Sequence, residues 1–233
     1  MALFSISDLH LSFGTDKPMD VFGKRWQNYE EKLKTNWNSS VAETDVVIVN
    51  GDNSWATYLE DTREDFNFIN SLNGIKIISK GNHDYWWSTM SKHEKWCKQN
   101  GFDTIKFLHN NYYMYEDTAI CGTRGWQLTS CDEDDMKVHN RELERLKISL
   151  DLAKKENPKS IIVALHYPPD EHFRKLIESY DVGLCLFGHL HSAGFKDYED
   201  YSINQVQYKL VSCDYLEFIP YKIFTWKKLK NMI

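Results

Sequence analysis

The chain has 233 residues, 42% hydrophobic and 14% aromatic, and sets 28 basic against 34 acidic side chains for a formal charge of -6. That length and apolar content exclude a disordered or fibrous protein and favour one domain over residues 1–233. The acidic balance argues against a general nucleic-acid coat or extended tracking along DNA or RNA, so any phosphate-binding charge must be concentrated at a site.

No apolar run approaches the ~20 residues a membrane helix needs, and no membrane partner is expected. Met1 to Ser7 lacks the basic start of a secretory signal and reads as a first strand. Cys97, Cys121, Cys131, Cys185 and Cys213 are odd in number, widely spaced and without a CxxC pair, which predicts reduced thiols in a cytoplasmic protein. Nothing in the pattern speaks to oligomeric state.

Ala2 to Ser7 predicts a strand ending in Asp8, and Asp45 to Asn50 a second ending in Gly51-Asp52. Between them Phe22, Trp26, Tyr29, Leu33 and Trp37 recur at steps of four, three, four and four, predicting one amphipathic helix with its aromatic stripe in the core. A helical segment from Leu59 to Leu72, a turn at Asn73-Gly74 and a strand Ile75 to Ser79 lead into Gly81-Asn82-His83-Asp84. This alternation predicts an α/β sheet with its site at the carboxyl ends of the strands.

After a helix ending near Asn100-Gly101, strands are predicted at Ile105 to His109, Asn111 to Tyr115 and Thr118 to Gly122. A long helix spans Ser130 to Glu156, headed by Asp132-Glu133-Asp134-Asp135, which read as water-exposed carboxylates favoured by the helix dipole. Strands at Ser160 to His166, Gly183 to Gly188, Val206 to Ser212 and Glu217 to Thr225 follow, with a helix near Glu171 to Tyr180. Lys222 to Lys230 reads as a solvated terminus.

Five segments set metal-binding and proton-handling residues just after predicted strands: Asp8-Leu9-His10, Gly51-Asp52-Asn53, Gly81-Asn82-His83-Asp84, Leu165-His166-Tyr167-Pro168 and Gly188-His189-Leu190-His191. The i, i+2 spacing of Asp8 with His10 and of His189 with His191 puts each pair on one face of an extended chain. Asp, Asn and His supply oxygen and nitrogen ligands, and seven of them are about what two ions need when one carboxylate bridges. His93, His109, His139 and His172 lie outside these segments and read as solvated or satisfied residues. His93-Glu94 is no zinc-protease motif, because Cys97 stands where the second His belongs.

The five segments, spanning residues 8 to 191, resemble the DxH, GDxx, GNHD/E, single-His and GHxH motifs of the calcineurin-like metallophosphoesterase superfamily. The resemblance implies an α/β fold, a layered β-sandwich of two mixed sheets flanked by helices. It implies that Asp8, His10 and His191 hold one metal ion, that Asn82, His166 and His189 hold the other, and that Asp52 bridges both. His83 matches the family's catalytic histidine and Asp84 the acidic residue that orients it, while Asn53 departs from the small or apolar residue that often follows the GD pair. The cofactors would be two divalent metal ions: Mn²⁺, Fe²⁺/Fe³⁺ or Zn²⁺. Two such ions less the charges of Asp8 and Asp52 leave about +2, so an acidic chain still offers phosphate a positive target.

The expected function is hydrolysis of a phosphoester substrate. Water shared between ions roughly 3.5 to 4 Å apart would attack phosphorus in line, and His83 would protonate the leaving oxygen. A chain little larger than its motif-bearing core favours a small or medium phosphodiester. A phosphomonoesterase or Ser/Thr protein phosphatase is the alternative activity, and a metal-binding interaction scaffold the non-enzymatic one. Arg124 has two readings, a ligand to a phosphate oxygen or a surface ion pair. Tyr85, Trp86 and Trp87 either pack in the core or rim or stack on a base.

Overall fold

A computed structural model describes residues 1–130, 132–195 and 198–223. In chain order the elements are β1 (Leu3–Ile6), α1 (Tyr29–Ser40), β2 (Val46–Val49), α2 (Arg63–Ser71), β3 (Ile75–Ile78), α3 (Met90–Asn100), β4 (Ile105–Phe107), β5 (Tyr112–Tyr115), β6 (Thr118–Thr123), α4 (Glu133–Lys154), β7 (Ser160–Leu165), α5 (Glu171–Glu178), β8 (Val182–Phe187), β9 (Tyr201–Ile203), β10 (Val206–Leu210) and β11 (Tyr221–Ile223). They form two mixed sheets, ordered β11-β1-β2-β3-β4 and β5-β6-β7-β8-β10-β9. In the first only β11 is antiparallel to its neighbour; in the second only the edge strands β5 and β9 are.

Period-two alternation sorts each strand's side chains between two cores. Leu3, Ile48 and Ile77 of the first sheet meet Ile120, Ile162, Ala164 and Leu186 of the second in the layer between the sheets. Phe4, Val47, Val49 and Ile78 face outward onto Leu33, Trp37, Phe66 and Ile69 of α1 and α2. Ala119, Cys121, Val163, Leu165 and Cys185 face the other way, onto Leu146, Leu150, Phe173 and Ile177 of α4 and α5. Burial on both faces is why these strands read as unbroken apolar runs in the sequence. The result is the α/β sandwich of two mixed sheets flanked by helices.

Three boundaries differ from the sequence expectation. The aromatic stripe does not lie on one helix: Met19–Phe22 and Lys24–Trp26 are 3₁₀ turns, broken by Gly23 at φ 121° and Asn28 at φ 51° before α1 begins. Trp26 still reaches the core at 2% exposure, whereas Phe22 is 62% exposed. Leu59–Thr62 is likewise a 3₁₀ turn ahead of α2. The last predicted strand shortens to β11, because Glu217 and Phe218 take positive φ and Pro220 follows; Thr225 lies outside the described residues. The short edge strand β9 was not foreseen. Cys131 and the segment from 224 to 233 also lie outside the description.

Candidate metal centre

All five chemistry-bearing segments leave the carboxyl ends of strands at one end of the sandwich. Beyond β1, Ser7 N donates to Val211 O at 2.8 Å and Cys213 N to Ser7 O at 2.9 Å, which joins the end of β1 to the end of β10 and so one sheet to the other. The chain then turns sharply. Asp8, His10, Asp52 and His189 all have left-handed backbones, with φ of 61°, 46°, 51° and 69°. Non-glycine residues there cost on the order of 1 kcal/mol or more, and such outliers gather at functional sites. Gly81 and Gly188 are required by close approach: a Cβ at the first would collide with Asp52, and at the second with Ser7 and Asp8.

Two clusters result. In one, His191 Nε2 lies 3.3 Å from Asp8 Oδ1 and 3.3 Å from His10 Nε2. In the other, Asn82 Oδ1 lies 2.6 Å from His166 Nε2 and 2.9 Å from His189 Nδ1. A single oxygen, Asp52 Oδ2, stands between them, 3.7 Å from His10 Nε2 and 3.4 Å from His166 Nε2. Ligand atoms on a shared ion with 2.0–2.2 Å bonds lie roughly 2.8–3.4 Å apart, close to the spacings here. Asp8, His10, Asp52 and His166 are buried and His189 and His191 partly so, leaving an opening to solvent on the histidine side.

The surrounding shell orients these atoms. His191 Nδ1 pairs with Asp214 Oδ1 at 2.8 Å, and His166 Nδ1 with the Asn50 carbonyl at 3.1 Å, so in neutral rings the Nε2 lone pairs point inward. Ser7 donates to Asp8 Oδ2, and His83 N donates to Asp52 Oδ1 at 2.8 Å. The His10 ring stacks on Trp55 at 4.9 Å, and Tyr167 lies 4.3 Å from the His189 ring. The motif reading missed Asp214, Asn50 and Trp55. Asp214 is fully buried and its Oδ2 has no hydrogen-bond partner among the described residues; the one sequence signal for it is a carboxylate shortly after a strand.

The donor set fits two divalent cations, since the seven converging ligands are oxygen and imidazole nitrogen donors, none of them a lysine or arginine. Burial pushes the Asp8 carboxyl up, yet His191, His166 and His10 together hold it well below the ordinary range. Burial, then Asp8 and Asp84, push Asp52 well above it. Burial works against a charge on His191, but Asp8 and Asp214 outweigh it and raise that imidazole to about 10. Burial lowers His166 to about 3 and also lowers His10 and His189. The ring between Asp8 and Asp214 thus favours positive charge, which is what a cation brings.

His83 borders the clusters, its ring 4.3 Å from Trp55 and 5.6 Å from His10. Burial, with His189 next, lowers its pKa. Its buried Nδ1 has no partner among the described residues. The fully buried Asp84 carboxylate accepts the backbone N–H groups of Asn53, Ser54 and Gly81, the Asn53 amide and Trp86 Nε1. Asp84 and Asn53 therefore brace the Asp52 loop against the Asn82 loop.

Of the two readings of Arg124, the structure shows an ion pair, but a buried one rather than one at the surface. Its side chain is only 13% exposed, 3.5 Å from the buried Glu142 carboxylate, with the guanidinium over Trp126. Its carbonyl accepts from both His166 N and Tyr167 N, so it positions the His166 turn through its backbone. Of the aromatic run, Trp86 is core and Trp87 packs against it, while Tyr85 is 59% exposed beside His83.

Fold and site together define a metal-dependent hydrolase. The family model of the calcineurin-like phosphoesterases matches residues 1–193, and the chain belongs to that family. No curated protein matches it in sequence. Among solved structures it resembles a protein of unknown function from Aquifex aeolicus (17% identity, TM-score 0.53, covering 100% of this chain and 99% of that one). It also resembles the phosphopantetheinyl hydrolase of Mycobacterium tuberculosis (11% identity, TM-score 0.55, covering 96% of each). A third is the sulfate thiohydrolase of Thermus thermophilus (13% identity, TM-score 0.50, covering 91% of this chain and 52% of that one). At these identities the likeness is one of fold. No helix among the described residues is long and apolar enough to cross a membrane.

Proposed function

We propose that the chain, acting as one domain, hydrolyses a small or medium phosphodiester. The observation that carries this reading is the pair of ligand clusters meeting at Asp52 Oδ2, with His83 at their edge. Asp8, His10 and His191 would hold one divalent ion, Asn82, His166 and His189 the other, and Asp52 both. Mn²⁺, iron or Zn²⁺ suits such mixed ligation. When bound, the two ions supply Lewis-acid neutralisation of phosphoryl oxygens and lower the pKa of a coordinated water.

The chain's own groups supply position and protons. Asp214 and the Asn50 carbonyl hold His191 and His166 in their inward tautomers. Asp84 and Asn53 keep the loops of Asp52 and Asn82 in register, and His83 donates a proton to the leaving oxygen. Tyr85, exposed beside His83, would face the alcohol portion of a diester. The interlocked core between the sheets supports a single domain, and the four buried free thiols among the described residues suit a reducing, cytoplasmic setting.

The test is the initial rate of metal-stripped protein reloaded with Mn²⁺, on an activated phosphodiester beside the matching monoester, with Asp52→Asn as control. Faster diester cleavage that disappears in the control supports the reading. Monoester preference would replace it with a phosphatase, and no turnover of either ester would remove the catalytic claim.

A further inference from the structure

Three side chains outside the centre converge where α4 meets the segment between β7 and α5. His139, on α4, is 1% exposed, and its Nε2 lies 2.7 Å from Asp170 Oδ2. His172 Nδ1 is 3.8 Å from the same oxygen, and the two imidazoles stand edge-on at 5.2 Å. All three ligand atoms fall within 4.8 Å of one another. A tetrahedral zinc-class ion separates its ligand atoms by about 3.3 Å, so the two Asp170 contacts need shifts of roughly half an ångström and the two imidazoles one of at most about 1.5 Å.

The orientation of these groups suits a ligand. Asp170 caps α5 through Oδ1, which accepts His172 N and Phe173 N, so Oδ2 is left facing the two rings. Nε2 is the His139 nitrogen that faces Asp170, and the other ring nitrogen, Nδ1, has no partner among the described residues, so the Asp170 contact alone holds the buried ring by hydrogen bonding. The His172 side chain is 61% exposed, leaving further coordination positions to water. Two imidazoles and one carboxylate select zinc, cobalt or nickel over the oxygen-seeking magnesium and calcium.

We propose that His139, Asp170 and His172 form a further metal site, separate from the dinuclear centre, which takes a zinc-class divalent ion. The ion ties α4 to the segment that begins at His166 and Tyr167. Because Tyr167 lies against His189, occupancy steadies one wall of the centre.

Equilibrium dialysis of the whole chain against buffered free Zn²⁺, followed by metal analysis, tests this. The unmodified protein should hold one more zinc per chain than His172→Ala, a change at an exposed side chain that spares the core. The same deficit is expected for His139→Gln, and Co²⁺ titration should show a tetrahedral d–d absorption component missing from His172→Ala. Equal zinc content and identical cobalt spectra in the unmodified protein and His172→Ala would overturn the proposal. Should His139→Gln fail to fold, the His172→Ala comparison decides alone.

Discussion

Asp214 shows how far a side chain can matter without carrying a motif. It sits beyond β10 outside the five motifs, and only the fold brings its Oδ1 to His191 Nδ1. Outer partners of metal-binding histidines are worth typically 10–100-fold in metal affinity. Asp214→Asn should therefore weaken metal binding by about 10-fold or more with the fold intact, read by metal titration and circular dichroism. Unchanged affinity would reduce Asp214 to packing. Asp84 makes a second residue-scale case, because five donors converge on its carboxylate and an amide can accept at only one oxygen. Asp84→Asn should cost about 1–3 kcal/mol in urea unfolding, the usual penalty for buried polar groups left unpaired. The seven ligand-type residues were legible because they follow strand ends in short motifs. The bracing role of Asp84 was not, since sequence adjacency to His83 says nothing of where a buried carboxylate points.

Elements were legible where periodicity has one meaning. Strands buried on both faces read as apolar runs, and α4 appears within three residues of its predicted ends. The stripe before α1 misled because 3₁₀ turns keep three-to-four-residue spacings while the axis breaks at Gly23 and Asn28. The acidic head of α4 also divides by geometry: Asp132 caps the helix, and Asp135 turns inward to Trp126 and the backbone of Thr129 and Ser130. On α3, the fully buried His93 accepts from Ser88 N through Nε2 at 2.8 Å and packs among Trp86, Trp87 and Phe107. Burial first, then His109 and Lys80, lower its pKa to about 4. The folded protein thus refuses a proton that the unfolded chain accepts near 6.5, and stability falls as pH drops from about 6.5 to about 4. The loss should be on the order of 2–3 kcal/mol. Chemical unfolding across that range checks it. His93→Gln should flatten the slope between pH 6.5 and 4, and an equally steep slope would place the linkage elsewhere.

At the scale of the molecule, the second sheet was beyond periodicity. Its order places β10 between β8 and β9, and no local pattern encodes that pairing; only the motif resemblance pointed to it. The same topology makes the centre a joint between the two sheets. Asp8, His10, Asp52 and Asn82 come from the ends of the first sheet, and His166, His189, His191 and Asp214 from the ends of the second. Cations shared across that joint bind the folded sandwich and find no such geometry in the unfolded chain, so each adds stability by mass action. At a free concentration 100 times the dissociation constant, one ion contributes about 2.7 kcal/mol. Removing metal with a chelator should therefore lower the thermal midpoint by several degrees, and readdition of Mn²⁺ or Zn²⁺ should restore it. Asp52→Asn, which weakens the oxygen facing both clusters, should blunt that shift. If chelation left the midpoint of the loaded protein unchanged, the centre would not couple the sheets, and the backbone bonds between Ser7, Val211 and Cys213 would carry the joint alone.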